Sequence, residues 1–515
     1  MGSRIVIPLV ALLTASACAL SPEAAPPTSA PPVATSPPAT PPPSSTASGA
    51  AQDTRPALAR TTGTMTPNLE VEVVGLNRVR GEHLIAQVRL TNTDSEKKQP
   101  WTGEMGDNTR PLGEIRWASG IGVLDARART WILPYQPAGS PCLCSDQDRD
   151  GLGYFIDPGA SVSLYAVMPA PSGNPSTTTV VTPLGPPMVD VPISDDPPVI
   201  PPGTTIPDPD AEPVTTVTRR LVTPSESPDE SEETADDGTD LHVNLSSDVL
   251  FAVDKATLTP RAKAVLARTA KLIDASPGTT VRVEGHADSS GTDAINDPLS
   301  TRRARSALRA LSTLVTRQGV TFQARGYGSR RPLYGNDTAE GRRRNRRVTV
   351  TFARPEPATA TTPPTAPAPG ATGLTGTGTA DGQPISMEIT GLRRLTGGLG
   401  LLTYRITNRG DGEAWFNELH RAQDWMSFKY QAASNVTMTD VETRRRYLPA
   451  RLQVARGGNV DLYCACTDVS GVRLSTEKFA PGRQREFWSL FELPDTAATM
   501  KVTIASFGDL RVPVR

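Results

Sequence analysis

The sequence predicts a multidomain protein in which one α+β sandwich lies between two related all-β sandwiches. Three observations point to this fold class. Segments rich in proline divide the 515 residues into three islands. The first and third islands share short motifs in the same order and alternate apolar with polar residues, which is typical of β-strands. The middle island instead spaces its apolar residues at helical intervals between strand-like runs, which predicts mixed α and β structure.

Composition sets the predicted domain boundaries. Stretches rich in Pro, Ser, Thr or acidic residues bury too little apolar surface to fold, and proline keeps them extended. The predicted segments are a signal peptide (1–17), a Pro/Ser/Thr-rich stalk (18–63), a first β-sandwich (64–195), a Pro/acidic linker (196–240), the α+β domain (241–353), a Pro/Ala/Thr linker (354–381) and a second β-sandwich (382–515).

The N-terminus has the pattern of an export signal. Arg4 precedes an apolar run at 5–13 that is too short to span a bilayer comfortably. Residues 15–18 resemble a bacterial lipobox, although Ala15 stands where Leu is usual. The resemblance implies that Cys18 is lipidated and anchors the protein at the cell envelope, either in an outer membrane or in a plasma membrane facing the wall. The alternative is an ordinary secretory signal with an unmodified Cys18.

The other four cysteines form two Cys-x-Cys motifs, Cys142 with Cys144 and Cys464 with Cys466. An even number in an exported chain indicates disulfides, which persist in oxidising compartments. Bridges within each motif keep each domain self-contained, and two cross-domain pairings are also open. Zinc is the competing interpretation, and we disfavour it because none of the four histidines is adjacent to these motifs.

The first and third islands are related in sequence. Residues 74–79 match residues 390–395, and RLTN at 89–92 matches RITN at 405–408 with the same offset. The Cys-x-Cys motif and a Pro-Gly pair follow in the same order in each island. This shared order indicates duplication. The period of two and the frequent turns predict antiparallel, immunoglobulin-like β-sandwiches.

The residue pattern of the middle island predicts secondary-structure elements in the order β-α-β-α-β-β, with the helices on one face of a mixed sheet. Thr259-Pro260 is a favourable helix start, because the hydroxyl can cap the helix and proline suits the first helical position. A second helix is expected to begin near Asp297-Pro298. The clearest strands are expected at 280–284, 321–324 and 347–352.

Six motifs follow one another in this island. They are Val249-Leu250-Phe251, Leu258-Thr259-Pro260, residues 283–288 (VEGHAD), Asn296 with residues 299–304 (LSTRRA), residues 326–328 (GYG) with Pro332, and Gly341-Arg342 before residues 345–348 (NRRV). In this order and spacing the island resembles the OmpA-like peptidoglycan-binding domain, which is shared by outer-membrane porins, the peptidoglycan-associated lipoprotein and MotB-type stator proteins. One departure is Ala287, where the family usually has Thr.

The resemblance implies a binding site for the diaminopimelate residue of the peptidoglycan stem peptide, and no cofactor. That residue ends as a free amino acid, with an ammonium and a carboxylate on one carbon. Asp288 is expected to bind the ammonium and Arg303 the carboxylate, because a guanidinium presents a planar fork of donors. Asn296 and Arg346 match family positions that line the same pocket. The alternative is that Asp288 caps a turn and Arg303 pairs with Asp297 on the surface.

The middle island is strongly basic. Residues 241–353 contain 19 Lys and Arg against 9 Asp and Glu, a net charge of +10. A basic domain suits an anionic wall, and the acidic segment before it is expected to shield part of the charge. The run Arg342-Arg343-Arg344 is also typical of nucleic-acid binding. Export makes nucleic acid an unsuitable partner.

An acidic loop follows the first Cys-x-Cys motif. Asp146, Asp148 and Asp150 alternate before Gly151, and Asp157 takes the twelfth place, which is the spacing of a calcium-binding loop. Strands are predicted on both sides in place of helices, and the last position lacks Glu. A solvated acidic turn is therefore the preferred interpretation, and we predict no metal.

No enzyme signature accompanies these motifs. The histidines His83, His242, His286 and His420 form no metal-binding spacing, and no cysteine or serine stands in a nucleophile motif. We therefore predict a non-catalytic protein that tethers a lipid-anchored envelope protein to peptidoglycan. The alternative is a surface adhesin or receptor whose β-domains bind an envelope protein or glycan, with the middle domain as wall anchor only. A wall-remodelling hydrolase has the least support.

Overall fold

The computed structural model describes residues 53–107, 109, 116–201, 204–355, 374–420, 432–456, 459–467 and 477–515. These residues belong to one unit of the fold, Ala50–Arg515. The predicted signal peptide, Cys18 and most of the predicted stalk lie outside the described residues, as does most of the predicted linker at 354–381. None of the described helices combines the length and the apolar character that a membrane crossing demands.

Among the described residues, ten strands with alternating apolar side chains form a first β-unit. They are β1 (Ala59–Thr62), β2 (Leu69–Val79), β3 (His83–Asn92), β4 (Gln99–Pro100), β5 (Gly122–Asp125), β6 (Thr130–Pro137), β7 (Phe155–Ile156), β8 (Ser161–Pro169), β9 (Thr177–Val181) and β10 (Met188–Pro192). One antiparallel sheet has the order β1-β2-β3-β8, and β10-β9-β5-β6 follow one another in a second sheet. Val71, Val88 and Ile121 are among the buried side chains of the core of this unit.

Two strands lie in the segment at 196–240, where we predicted a linker. β11 spans Val214–Glu226, and β12 spans Glu232–Asp236. The prediction of an unstructured linker is wrong for this part. Most prolines of the segment precede β11, whereas Val and Thr dominate the strand itself and favour extended, paired structure. Val217 and Leu221 are buried there.

The central domain combines four strands with two long helices. Its elements are β13 (Asp240–Ser246), α1 (Ser247–Leu250), α2 (Ala262–Ala275), β14 (Thr280–Gly285), α3 (Asp293–Leu314), β15 (Thr321–Gly326), α4 (Ala339–Asn345) and β16 (Arg347–Ala353). The sheet order is β13-β16-β14-β15, with β14 and β15 parallel and the other pairs antiparallel. α2 and α3 bury apolar residues such as Leu266, Ala304 and Leu311 in one core with the sheet. With the short helices α1 and α4 set aside, the order is β-α-β-α-β-β.

The described part of the second β-unit also contains ten strands. They are β17 (Thr375–Ala380), β18 (Gln383–Leu395), β19 (Leu399–Asn408), β20 (Val436–Asp440), β21 (Arg446–Tyr447), β22 (Arg451–Arg456), β23 (Asn459–Cys464), β24 (Gln484–Glu492), β25 (Thr499–Ile504) and β26 (Asp509–Pro513). One antiparallel sheet has the order β17-β18-β19-β24, and β20 pairs with β21 and β25, which continues to β26. Tyr404, Phe487 and Phe491 are fully buried in its core.

Two predicted boundaries shift because edge strands extend the β-units. β1 lies inside the predicted stalk, and β17 lies inside the predicted linker before the second unit. Each forms an antiparallel pair with the next strand, with Ala59 opposite Val73 and Thr377 opposite Ser386. Small and polar residues resemble a linker in composition, but strand pairing uses the backbone, so composition alone did not reveal these strands.

The two β-units share more than their strand order. The pairing of β2 with β3 has a register shift between Val73 and Gly75, and that of β18 with β19 has one between Ile389 and Gly391. Such a bulge inserts one residue into a strand and increases its twist. Its recurrence at matching positions supports the predicted relation between the units.

A buried asparagine recurs at the end of the matching strands β3 and β19. Asn92 donates its side-chain amide to the carbonyl oxygen of Ile156 at 2.9 Å. Asn408 donates to the carbonyl oxygen of Phe479 at 3.0 Å. These asparagines end the RLTN and RITN motifs, so the sequence match has a structural reason. The immunoglobulin-like assignment stays a prediction.

The cysteines pair within each Cys-x-Cys motif. Cys142 is bonded to Cys144, and Cys464 is bonded to Cys466. Three pairings were open from the sequence. The structure contains the one that keeps each β-unit self-contained.

α3 begins at Asp293, four residues before the predicted start near Asp297-Pro298. The N–H of Asn296 donates to the carbonyl oxygen of Thr292 at 2.9 Å, so the first turn forms before the proline. Pro298 lies inside the helix, where its missing N–H removes one backbone hydrogen bond. The helix is long enough to retain its other bonds.

The start of α2 also differs slightly from the prediction. The helix begins at Ala262, after Thr259-Pro260. The Thr259 hydroxyl oxygen accepts a hydrogen bond from the N–H of Ala262 at 3.2 Å. Thr259 therefore caps the helix from a turn that precedes it.

β11 joins the three parts of the described chain. Along its length it pairs with β6 of the first unit, with β22 and β21 of the second unit, and with β12, which continues to β13 of the central domain. The two β-units also share a core, in which the ring centroids of Trp131 and Trp488 are 6.3 Å apart. A continuous sheet therefore fixes the central domain against both β-units.

The end of β11, the turn after it and the start of β12 form an acidic bridge, which we define as residues 226–233. Glu226 and Glu233 are buried and accept hydrogen bonds from Arg344 of the central domain at 3.1 and 3.2 Å. An arginine of the second β-unit pairs in the same way with Glu232, at 2.9 Å. The acidic bridge therefore neutralises part of the basic domain and gives the arginine run before β16 a structural role.

Candidate functional site

The predicted site residues lie where β14 ends beside the start of β16. These strands are antiparallel neighbours with Gly285 opposite Val348, so the end of one meets the beginning of the other. Asp288 follows β14 by three residues, and Arg346 directly precedes β16. α3 crosses next to both strand ends, because a Cβ at Gly285 would lie 2.1 Å from the carbonyl oxygen of Ser300. This close approach requires glycine and brings the helix to the site.

Asp288 is buried, and its carboxylate is held by three donors. Oδ1 accepts hydrogen bonds from the N–H of Ser290 at 2.9 Å and from the Ser290 hydroxyl. Oδ2 accepts a hydrogen bond from Nη1 of Arg346 at 2.7 Å. Burial opposes ionisation of Asp288, but the bonds from Ser290 and Arg346 outweigh it and lower the pKa of this carboxyl below its ordinary value. The site therefore contains a stable carboxylate.

Arg346 is oriented by a second carboxylate, Asp248, at the start of α1. Nε of Arg346 lies 3.1 Å from Oδ1 of Asp248, and Nη2 lies 2.6 Å from Oδ2. This planar, two-point contact fixes the guanidinium so that Nη1 is directed at Asp288. Hydrogen bonds to Asp248, and secondarily to Asp288, raise the pKa of Arg346. Asp248 was not predicted as a site residue; its one signal in the sequence is that it directly precedes the first apolar motif.

Arg303 is buried on α3 and is held differently. Its Nε donates to the carbonyl oxygen of Lys255 at 3.0 Å, and its guanidinium carbon lies 5.3 Å from the ring centroid of Phe251. No contact within the described part of the chain occupies its two terminal nitrogens, which keep some solvent exposure. Burial lowers the pKa of Arg303, and the nearby Asp248 opposes this effect. The residue presents a fork of donors that can accept an anion.

The surface pairing of Arg303 with Asp297, the alternative considered from the sequence, is not what the structure contains. Asp297 instead accepts two hydrogen bonds from Arg330, at 2.6 and 2.7 Å. Asp288 does take part in a local turn through Ser290, so that part of the alternative is correct. The turn and the site are compatible, because the turn uses one oxygen of the carboxylate.

Asn296 holds the loop that carries Asp288. Its side-chain amide donates to the carbonyl oxygen of Ser290 at 2.9 Å and to that of Asp288 at 3.5 Å. It lies seven residues before Arg303 on α3, and residues at this spacing share one helical face. Asn296 therefore couples the loop to the helix that presents the guanidinium.

The four predicted residues lie close together, but Asp288 is not paired with Arg303, the residue with which it was expected to share the ligand. Asp288 forms an ion pair with Arg346. Arg303 is close enough to Asp248, Arg346 and Asp288 for their charges to shift its pKa. The site thus combines two aspartates with two arginines. The Asp288 carboxylate and the Arg303 guanidinium are available to a ligand, while Asp248 and Arg346 hold the geometry of the site.

His286 belongs to the motif but not to the ionic site. Its ring stacks on Tyr327 with centroids 5.6 Å apart, and neither ring nitrogen has a hydrogen-bond partner among the described residues. Burial, aided by the charge of Arg347, lowers the pKa of His286 to about 3. The imidazole is neutral at physiological pH and packs as part of the structure.

The acidic loop of the first β-unit uses its carboxylates internally. Asp146 accepts from the N–H of Asp148 at 2.7 Å, Asp150 accepts from the N–H of Asp146 at 2.9 Å, and Asp157 pairs with Lys98 at 2.6 Å. Within the part of the chain that the structure describes, no group of three or more His, Cys, Asp or Glu is placed to hold a metal ion.

A mixed sheet with two helices on one face, and an ionic cluster at the end of its central strands, define an α+β domain with a candidate binding site. Residues 250–346 match the model of the OmpA family. The chain belongs to the OmpA family.

Several known proteins are similar in sequence to this part of the chain. Outer membrane porin F of Pseudomonas aeruginosa is 42% identical over 106 residues, which cover 21% of this chain and 30% of the porin. The putative lipoprotein YfiB of Escherichia coli is 33% identical over 118 residues, which cover 22% of this chain and 72% of YfiB. The peptidoglycan-binding protein ArfA of Mycobacterium bovis is 34% identical over 105 residues, which cover 20% of this chain and 31% of ArfA. The chain spans less than a third of the porin and of ArfA, so the likeness concerns the central domain.

Proposed function

We propose that the chain binds peptidoglycan without catalysis, through the diaminopimelate residue of the stem peptide. The observation that supports this proposal is that the ionised carboxylate of Asp288 and the guanidinium of Arg303 are both buried and close enough to interact electrostatically, while the terminal nitrogens of Arg303 have no partner among the described residues. A free amino acid carries one ammonium and one carboxylate, and these two groups match it. The name of ArfA, a peptidoglycan-binding protein, supports the same ligand class.

The ammonium of the ligand would bind the Asp288 carboxylate. A carboxylate has about four acceptor directions, and the Ser290 N–H, the Ser290 hydroxyl and Arg346 use three of them. The remaining direction accepts the ammonium without breaking the pair with Arg346. The ligand carboxylate would bind the terminal nitrogens of Arg303. Each charge-assisted bond contributes about 1.5–3 kcal/mol, and the repeated ligands of the wall raise the effective affinity.

In the cell, the protein would tether an envelope membrane to the wall. The anchor would be lipid at Cys18, and relatives named as an outer membrane porin and as a lipoprotein support an envelope location. The β-units would then be held at the wall by the central domain. The central domain would be held against both β-units, because its strand β13 continues through β12 to β11, which pairs with a strand of each β-unit, and this suits a tether that bears load. An envelope protein is the expected further partner of the β-units.

Substitution of the two ligand-binding groups tests the proposal. In the full chain, Asp288→Asn or Arg303→Gln is expected to weaken co-sedimentation with purified diaminopimelate-containing sacculi by about tenfold or more, since each removes one charge-assisted contact. The matched controls are Asp297→Asn and Arg330→Gln, which break a surface ion pair in the same domain. Equal binding by the Asp288 and Arg303 variants and the controls would reject the site.

Binding is expected to be independent of pH between about 8 and 5. Folding lowers the pKa of Asp288 below 3.8, so its carboxylate stays ionised throughout this range. The sign follows from linkage: the ionised form, and the stability it contributes, is retained above the unfolded-state pKa and lost as the pH falls through the lower folded-state pKa. His286 is already neutral in this range because its pKa is about 3. Co-sedimentation at fixed ionic strength measures this, and a loss of binding centred near pH 6 would contradict it.

A further inference from the structure

Three large apolar side chains are exposed in the central domain, in which every residue from 241 to 353 is described. They are Val253, Ile295 and Leu333, with exposed fractions of 85%, 60% and 53%. Scattered exposed apolar residues are normal on a protein surface, whereas a group of them at one place marks a site of contact. The positions of these three residues relative to the ionic site therefore decide what they mean.

Val253 lies on a loop, residues 252–257, that contacts Arg303. The carbonyl oxygen of Lys255 accepts the hydrogen bond from Nε of Arg303 at 3.0 Å. Asp254 has a φ of 53°, a left-handed conformation that aspartate tolerates, so the chain turns sharply just after Val253. Burial lowers the pKa of Arg303, and the charge of Asp254 is among those that oppose this effect. The tip of the loop, which carries Val253, is therefore close to the guanidinium.

Ile295 lies in the first turn of α3, beside the loop that carries Asp288. It directly precedes Asn296, whose side-chain amide donates to the carbonyl oxygens of Asp288 at 3.5 Å and Ser290 at 2.9 Å. Asn296 and Ser300 of the same helix are buried, but the side chain of Ile295 faces solvent. An apolar side chain in this position is removed from water only when a ligand covers it.

Leu333 begins a loop that is bonded to two sides of the ionic site. Its N–H donates to Oδ1 of Asn345 at 2.9 Å, and Asn345 directly precedes Arg346. In the same loop, Oδ1 of Asn336 accepts hydrogen bonds from the N–H of Ser289 at 3.2 Å and from Nδ2 of Asn345 at 3.0 Å. Ser289 directly follows the aspartate of the site. All three exposed apolar residues therefore lie at the end of the domain that carries the ionic site.

We propose that Val253, Ile295 and Leu333 form an apolar rim around the ionic site, and that this rim binds the methylene chain of the diaminopimelate residue. The inference rests on the proposed function and extends it to the rest of the ligand. A chain of methylene groups separates the two amino-acid ends of diaminopimelate. When one end lies between Asp288 and Arg303, the methylene chain has to leave the site past the apolar rim. The occupant of this surface is therefore the ligand itself.

The apolar rim affects both affinity and specificity. Methylene groups leave water when they pack against it, and the burial of one methylene group changes an affinity by about fourfold. The same contact excludes water from the charged groups of the site, where a lower effective dielectric constant strengthens each charge-assisted bond. A small free amino acid satisfies Asp288 and Arg303 but does not extend to the rim. The rim therefore favours diaminopimelate over other zwitterions.

Competition with the wall measures the contribution of the rim separately from that of the charged groups. The full chain is bound to diaminopimelate-containing sacculi and is then released with one of two soluble competitors. The first is a tripeptide that ends in diaminopimelate, and the second is glycine, which has the same two charged groups on one carbon and no side chain. The ratio of the two half-release concentrations reports on the rim, because the avidity of the chain for sacculi affects both concentrations alike.

Two triple variants of the full chain are compared with the native chain. The rim variant combines Val253→Ser, Ile295→Ser and Leu333→Ser. The control combines Val199→Ser, Val441→Ser and Val460→Ser, which change exposed valines outside the central domain. A third variant, Val253→Ile with Ile295→Val and Leu333→Ile, keeps the rim apolar and is expected to behave like the native chain. Circular dichroism verifies that each variant is folded.

The native chain is expected to be released by the tripeptide at a concentration about tenfold or more below that of glycine. In the rim variant this ratio is expected to fall by about fivefold or more, because the tripeptide loses its apolar contacts while glycine keeps both of its ionic contacts. In the control the ratio is expected to change by less than about twofold.

Three outcomes overturn the inference. A native ratio in the rim variant shows that the ligand does not contact the rim, and the proposed function then stands if Asp288→Asn still weakens binding to sacculi. Equal weakening of tripeptide and glycine in the rim variant shows that these residues only support the structure of the ionic site. Failure of the native chain to bind sacculi rejects the proposed function, and the rim is rejected with it.

Discussion

Replacing Arg344 with Met is expected to lower the free energy of unfolding by about 3–5 kcal/mol. The Arg344 guanidinium is buried and contacts Glu226 at 3.1 Å, Glu233 at 3.2 Å and Glu340 at 2.6 Å. Methionine occupies a similar volume, so the change removes charge without opening a large cavity. The loss is large because two buried carboxylates are left with fewer donors, and an uncompensated buried charge costs more than an exposed one.

Chemical denaturation followed by far-UV circular dichroism measures the effect of Arg344→Met. Arg342→Met is the matched control, because Arg342 donates to the backbone carbonyl oxygens of Asn336 at 2.7 Å and Asp337 at 3.2 Å. We expect this control to cost about 1 kcal/mol or less. Adding Glu226→Gln and Glu233→Gln to Arg344→Met should restore part of the stability. Similar losses for Arg342→Met and Arg344→Met would show that the acidic bridge contributes nothing specific.

Replacing Leu221 with Ala is expected to cost about 2–5 kcal/mol. Leu221 lies on β11 and is fully buried in the core that the two β-units share. It is opposite Leu452 of the second unit, and its N–H donates to the carbonyl oxygen of Arg129 of the first unit at 2.8 Å. Truncation removes apolar contacts and leaves a cavity between the units. An unstructured linker at this position would tolerate the same change without cost.

Two optical signals separate the parts of the protein in the Leu221→Ala experiment. All six tryptophans lie outside residues 241–353, so their fluorescence reports on the β-units. The helical circular dichroism comes mainly from α2 and α3 of the central domain. In the native chain we expect both signals to change over one range of denaturant, and in the variant we expect the fluorescence transition to move to lower denaturant. Thr216→Ala, at an exposed position of β11, is the control; a Leu221→Ala midpoint equal to that control contradicts the role of β11.

The fold of the central domain was accessible from local patterns. The apolar residues predicted at helical intervals are buried in the core, for example Leu266 on α2 and Leu311 on α3. The Thr259 hydroxyl caps α2 as predicted. These features depend on residues a few positions apart. β11 was missed because its partners are distant in the chain: Arg220 is opposite both Thr130 and Gln453. Neighbouring prolines then made the segment resemble a linker.

Motif order and spacing in the sequence predicted Asp288, Asn296, Arg303 and Arg346 as site residues, but they did not reveal Asp248, which completes the ionic site. How these residues pair became clear only from the folded protein. It placed Asp248 against Arg346, which is 98 positions away, and it left the terminal nitrogens of Arg303 available. The physical reason is that hydrogen bonds and ion pairs act over a few ångströms. Every carboxylate in the sequence is equivalent until folding selects its neighbours.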